Sequence, residues 1–301
     1  MVTPQRALRE KPSDGGQGLL WGALVFMLLS WASAFPAIRI GLTGFSPMHL
    51  ALFRFLVASG ALTVYAVVVR MPLPELRDVP QLAGLGFLAI TLYHIPLNMG
   101  EMTLSAGAAS LLMSTAPVCT ALLEAGFSGN PFSRRGWFGL GVSFVGAALI
   151  AFGEGGAWSF SVGALWVFLA VFAESLSFVL QGKMLKKYGP LRTGTYLMWA
   201  GTVFMLPFAG GLPAALEHAS WEATGVTVYL GLFPAALAYL CWSLVLVKLK
   251  PAHATATFYA IGPLSLLISW FWIGEKPLPV ALGGGALALL GVWIVERSRR
   301  P

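Results

Sequence analysis

Apolar residues run through this chain in ten blocks, and most of its polar residues fall in the short gaps between them. The blocks cover about residues 19–39, 46–69, 80–99, 106–127, 135–153, 161–182, 194–213, 223–247, 253–273 and 279–296. Each is close to the roughly 20 residues that a helix needs to cross the hydrocarbon core of a bilayer. Lipid offers no partner to a bare N–H or C=O, so blocks of this length are predicted to be helices that satisfy their own backbone. The pattern predicts an all-α membrane protein of ten transmembrane helices. Little is left for a soluble domain beyond a polar tail at 1–18 and a basic tail at 297–301.

Charge then sets the orientation. Alternating the sides of the gaps puts sixteen basic residues with the two tails, among them Arg70, Arg77, Arg134, Arg135, Lys183, Lys187 and Lys248. The opposite side holds only Arg39 and Lys276, and Arg54 lies inside the second block. Short loops rich in Lys and Arg stay in the cytoplasm, so both termini are predicted to be cytoplasmic. The net charge of +7 is spread over these loops. It reads as a topology signal, with no nucleic-acid partner expected. Composition agrees: the chain is 57% hydrophobic and 10% charged, against about 25% charged in soluble domains. Cys119 and Cys241 both fall inside blocks and are expected to be small core residues, outside any disulfide framework.

The chain also repeats itself. A shift of 146 positions lays Ala106 on Ala252, Ala108 on Ala254, Pro117 on Pro263, Pro131 on Pro277 and Gly139 on Gly285. The small-residue ladder Ala106, Ser110, Ser114 recurs as Ala252, Ala256, Ala260, and such ladders let helix backbones approach closely in lipid. A shift of 141 lays Gly22-Ala23-Leu24 on Gly163-Ala164-Leu165. Two halves, 19–153 and 161–296, are therefore expected, each of five helices. Five is odd, so the second half is expected to sit inverted. Inverted repeats are a transporter design, with the substrate near the midplane between the halves.

At this point the sequence resembles a known family. Trp31-Ala32-Ser33-Ala34-Phe35-Pro36-Ala37-Ile38-Arg39 resembles the first-helix signature of the drug/metabolite transporter superfamily, EamA type, and Leu52-Phe53-Arg54-Phe55 resembles part of its second helix. So do Ser105-Ala106-Gly107-Ala108-Ala109-Ser110 running to Ala116-Pro117-Val118, and its echo Pro251-Ala252-His253-Ala254 running to Gly262-Pro263. Ile273-Gly274-Glu275-Lys276-Pro277 resembles the acidic turn after the ninth helix, whereas the first-half counterpart of Glu275 is Gly129. The resemblance implies a bacterial inner-membrane exporter of small metabolites. The richness in aromatic residues resembles most the exporters of aromatic and hydrophobic amino acids.

The residues suggest where a solute would bind. Glu174 sits near the middle of the sixth block, where a carboxylate is costly and must face a polar interior. It is a candidate to bind an ammonium group or to carry a coupling proton; a structural hydrogen bond is the plain alternative. Ser33 is its counterpart by the 141 shift. In the third block Tyr93, His94 and Asn98 flank Pro96, which frees backbone carbonyls. His94 is a second proton or substrate candidate, since histidine titrates in the physiological range. Ser114 joins them as a substrate-binding candidate, as do Trp31, Tyr239, Trp242 and Tyr259; Trp166 is weighed with these rings. Rings like these favour apolar solutes and hold an ammonium by cation–π attraction. Pro117 and Pro263, matched near the midpoints of the fourth and ninth blocks, are expected hinges. Arg54 is expected to snorkel or to pair with a carbonyl, and Glu124 to reach the interface.

Rival classes have weaker support. No H-E-x-x-H, G-x-S-x-G or P-loop is present, and Asp14 and Asp78 lie outside the blocks. The expected activity is a secondary transporter working by alternating access on small amphipathic metabolites, hydrophobic or aromatic amino acids first. Membrane lipid surrounds it, protons are the possible coupling ion, and neither a metal nor a bound cofactor is required. A passive channel or facilitator is the alternative, with an integral-membrane enzyme behind it.

Overall fold

A computed structural model describes residues 14–128, 133–154, 161–248 and 257–298, and every regular element among them is helical. In chain order these are α1 (Asp14–Gly41), α2 (Pro47–Val68) and α3, which runs through Val79–Gly86, Phe87–Thr91 and Leu92–Glu101. Next come α4 (Ala106–Met113 and Ala116–Ser128), α5 (Arg134–Glu154), α6 (Val162–Leu180) and α7 (Gly182–Met205). A short helix, Leu212–His218, leads to α8, built from Trp221–Leu230, Gly231–Leu237 and Ala238–Lys248. Last are α9 (Ile261–Ile273, preceded by a tight turn at Thr257–Ala260) and α10 (Pro279–Ser298). Among the described residues seven helices are long and apolar enough to cross a membrane, or eight if the pair bent by 82° after Ala209 is one span. The shorter apolar helices Ile261–Ile273 and Pro279–Val295 follow.

Serines start several of these helices. Ser46 Oγ accepts from the His49 N–H at 3.2 Å, Ser105 Oγ from Ala108 at 3.1 Å and Ser220 Oγ from Ala223 at 3.1 Å. Each meets a donor that the first turn of a helix leaves bare. One expected boundary differs. The seventh block was placed from 194, yet α7 begins at Gly182 with a kink at Gly189, whose φ is +76°. Glycine reaches that backbone region freely, and Pro190 lacks the N–H that would continue the first turns. The start of the ninth block, at 253, lies outside the described residues.

With little hydrophobic drive between helices in lipid, close approach of small residues does the packing. α5 and α10 cross on Gly139, Gly146, Gly284 and Gly291. A Cβ added at Gly146 would lie 2.3 Å from the Ala288 nitrogen, and one at Gly291 2.3 Å from the Ser143 nitrogen. α3 meets α7 at Gly86 and Gly201, and α3 meets α6 at Gly100 and Gly163, again backbone on backbone. The pairings exchange between halves. α1 packs on α8 and α9 as α6 packs on α3 and α4; α2 packs on α8 as α7 packs on α3.

The departures from α-helix recur at the same offset. α3 widens to a π-turn at Phe87–Thr91, and α8 does so at Gly231–Leu237, whose start and end lie 144 and 146 positions later. Gly86 lies against the Leu197 carbonyl of α7, and Gly231 against the Arg54 carbonyl of α2. α4 breaks after Met113 and resumes at Ala116, just ahead of Pro117. α9 passes from a tight turn to α-helix at Ile261, just ahead of Pro263. Neither proline has an N–H to donate to the preceding turn, which places the break.

Gly146→Leu should therefore force α5 and α10 apart, costing about 3 kcal/mol or more. Gly126→Leu, where no atom lies within 4 Å of the added Cβ, should cost under about 1 kcal/mol of helix and packing preference. Thermal unfolding in detergent, followed by the monodisperse fraction, checks this; equal losses would contradict the packing described.

Candidate functional site

Between α2, α3, α6 and α8 the apolar bundle holds two charges that the protein does not neutralise. Glu174, within α6, is half-buried and makes no ion pair among the described residues. Its neighbour Ser175 ties α6 to α4, donating to the Ala116 carbonyl at 3.1 Å. The Glu174 carboxylate acts electrostatically on two phenols, Tyr93 of α3 and Tyr239 of α8. Arg54 of α2 acts on the same two phenols.

Arg54 departs from expectation. It neither snorkels nor reaches the interface: the residue is 5% exposed, and its Nε has no partner among the described residues. The reason lies in the helix. Leu50, Ala51, Arg54, Phe55, Ala58 and Leu62 form the inward stripe of α2 at helical spacing, so Arg54 points where its apolar neighbours point. Its guanidinium carbon stands 5.2 Å from the centre of the Phe55 ring.

An aromatic wall adjoins these groups. The π-turn of α8 sends the Ala238 N–H to Phe233 O, which leaves the Pro234 carbonyl free. Trp31 of α1 donates its indole N–H to that carbonyl at 2.9 Å. The Trp31 ring then lies edge-on to Tyr239, with centroids 5.8 Å apart, and 6.0 Å from Trp242. Ser33, two residues along α1, is buried and shares a 2.6 Å hydrogen bond with the Tyr229 hydroxyl, whose ring stacks on Phe233 at 5.2 Å. The structure thus brings Trp31, Tyr93, Glu174, Tyr239 and Trp242 to one region and adds Arg54 to them.

Other candidates stand elsewhere or serve the frame. His94 is buried, donates from Nδ1 to Ile90 O at 3.0 Å and meets the Phe55 ring edge-on at 4.5 Å. Asn98 is 1% exposed and donates to the Pro47 carbonyl at 2.9 Å, fastening α3 to the start of α2. Ser114 donates to Ser110 O and lies where a Cβ on Gly262 would be 2.7 Å away, so it is part of the α4–α9 contact. Tyr259 packs with Val118, Ala121, Val292 and Val295. Trp166 is exposed. Among the described residues no group of three His, Cys, Asp or Glu is placed to hold a metal ion.

The reading of residues missed a second polar cluster, at the ends of α1, α3 and α9. Glu275 Oε2 accepts the Ala106 N–H at the start of α4, at 2.8 Å, and its Oε1 lies 3.6 Å from Arg39 Nε. Arg39 Nη1 donates to the Glu101 carbonyl at 2.6 Å. One carboxylate after α9 therefore caps a helix of the first half and grips another. The Glu101 side chain beside it is fully buried, with neither carboxylate oxygen partnered among the described residues. A sequence signal existed for Glu275, in the acidic turn. Glu101 sits just past the edge of its apolar block and gave none.

Comparison with known proteins places this arrangement. The model of the EamA-like transporter family matches residues 17–152 and again 161–297. The "uncharacterized transporter YdfC" of Bacillus subtilis (strain 168) is 45% identical over 266 residues, covering 88% of this chain and 87% of that protein. A "probable terminal-alkyne amino-acid exporter" of Streptantibioticus cattleyicolor is 39% identical over 275 residues, covering 91% and 92%. A crystal structure aligns with a TM-score of 0.58 over 95% of this chain and 99% of that one, at 15% identity, a likeness of fold alone.

Glu275→Ala removes both the cap and the ion pair and should lower stability by about 1–2 kcal/mol. Glu275→Gln keeps an acceptor for the Ala106 N–H and should lose about half of that. Lys276→Ala, at an exposed position beside it, should lose nothing measurable. Unfolding temperatures in one detergent test the order, and an alanine variant as stable as the wild type would remove Glu275 from the frame.

Proposed function

The chain belongs to the EamA-like transporter family, and from that premise we propose that it carries small amphipathic amino acids across the bacterial inner membrane by alternating access. The observation that carries the reading is Glu174: a half-buried carboxylate without an ion pair among the described residues, acting on two phenols, one of which belongs to a wall of indole and phenol rings. An ammonium group with an apolar side chain answers both features. The relative with the amino-acid exporter name supports the same class.

The proposed architecture is ten membrane helices in two five-helix halves of opposite topology, with both termini in the cytoplasm. Its support is the exchange of helix pairings between α1–α5 and α6–α10, the matched π-turns and the matched breaks before Pro117 and Pro263. Two similar halves can swap packings, so each conformation has a counterpart open to the other side. On this reading the Arg39–Glu275 cluster lies at the outer face, Pro117 and Pro263 act as hinges, and Glu174 and His94 are the sites for a coupling proton. A channel would conduct without saturating, and an enzyme would alter its substrate.

Counterflow in proteoliposomes separates these. Vesicles preloaded with unlabelled phenylalanine should accumulate the labelled amino acid transiently and saturably, as they should for tryptophan, methionine and leucine but not for lysine or a nucleoside. Glu174→Gln should reduce the rate about tenfold or more, the size expected on losing a charge-assisted contact. The proposal is falsified if intact wild-type protein shows no counterflow of any amino acid.

A further inference from the structure

A buried arginine with no acid beside it is an unfinished contact. Arg54 lies inside the bundle at 5% exposure, and no carboxylate comes within ion-pair distance of it among the described residues. Removing a charge from water costs several kcal/mol unless a partner and hydrogen bonds offset it. The Phe55 face at 5.2 Å offsets part of that cost. Glu101, the acid that acts on Arg54, forms no ion pair with it, and its carboxylate oxygens are themselves without partners among the described residues. A Cβ on Gly231 of α8 would stand 2.6 Å from the Arg54 carbonyl, so α8 packs directly on the backbone of this turn. Arg54 acts electrostatically on Tyr93 and Tyr239, the two phenols on which Glu174 acts from α6.

Resting on the amino-acid reading above, we infer that Arg54 holds the carboxylate of the transported amino acid while Glu174 holds its ammonium, so that the site selects zwitterions. Arg54 Nε, buried and without a partner, supplies the donor. The planar guanidinium matches a carboxylate in a way that the point charge of lysine does not. A zwitterion carries one charge for Arg54 and one for Glu174, and its binding adds no net charge to the site. An amine answers only Glu174, and a simple carboxylic acid only Arg54. Trp31 and Trp242, beside Tyr239, are then left for the side chain.

The test uses the full chain in proteoliposomes, with labelled phenylalanine in counterflow and three unlabelled competitors: phenylalanine, its methyl ester and phenethylamine. Wild-type protein should be inhibited about tenfold or more weakly by the ester and the amine than by phenylalanine. Arg54→Lys should raise the KM for phenylalanine about tenfold and leave inhibition by phenethylamine within twofold. Arg54→Gln should bring phenylalanine and phenethylamine to within about twofold of one another. An ester that competes as well as phenylalanine on the wild type overturns the inference whether or not the variants fold. So does a variant that elutes as the wild type does and weakens phenylalanine and phenethylamine alike, because a purely structural role for Arg54 predicts that. Wild-type protein with no amino-acid counterflow overturns the reading beneath it; counterflow with a fully competitive ester overturns the role of Arg54 alone.

Discussion

Hydrocarbon solvates neither a peptide group nor a charge, and most of this molecule is arranged around that fact. Helices answer it for the backbone, and the few places where the helical ladder lapses face inward, where the protein itself can supply a partner. The Pro234 carbonyl, released by the π-turn of α8, is taken at once by the Trp31 indole. Thr91, in the matching turn of α3, donates to the Gly201 carbonyl at 2.9 Å. Glycines then do what apolar burial does in water: they bring α5 onto α10 and α3 onto α7 at backbone distance.

The same constraint makes the unpaired charges informative. Arg39 and Glu275 are joined where they lie, and with the Ala106 N–H they draw α1, α4 and α9 together at one end of the bundle. Arg54 and Glu174 form no ion pair among the described residues, and each acts on Tyr93 and Tyr239. A chain selected only for stability gains from pairing or deleting such groups. Holding them open has a use if a solute brings the missing charges, and in the proposed cycle the closed end must release its ion pair when the site turns outward.

Much of the frame was legible because membrane helices are written in plain composition. The apolar blocks and the matched prolines correspond to helices and breaks among the described residues. Glu174 was legible for the same reason, as a lone acid within an apolar block. Arg54 was visible and misread, since a long basic side chain near a helix end usually snorkels; only the inward stripe of α2 shows why it does not. Asn98 also fastens α3 to Pro47, a partner 51 residues away that no local pattern reveals. The wide turns of α3 and α8 carry no motif, and they emerge only where two backbones cross.

The central claim is that two halves around the Arg54–Glu174 site exchange packings, and the distance across the Arg39–Glu275 end measures it most directly. Spin labels at Thr43 and Lys276, both exposed, in a chain with Cys119 and Cys241 replaced by serine, report that distance by pulsed electron resonance in lipid nanodiscs. Two populations are predicted, with saturating phenylalanine changing their ratio and leaving the two distances fixed. A single distance, the same with and without amino acid while counterflow is intact, would contradict the account.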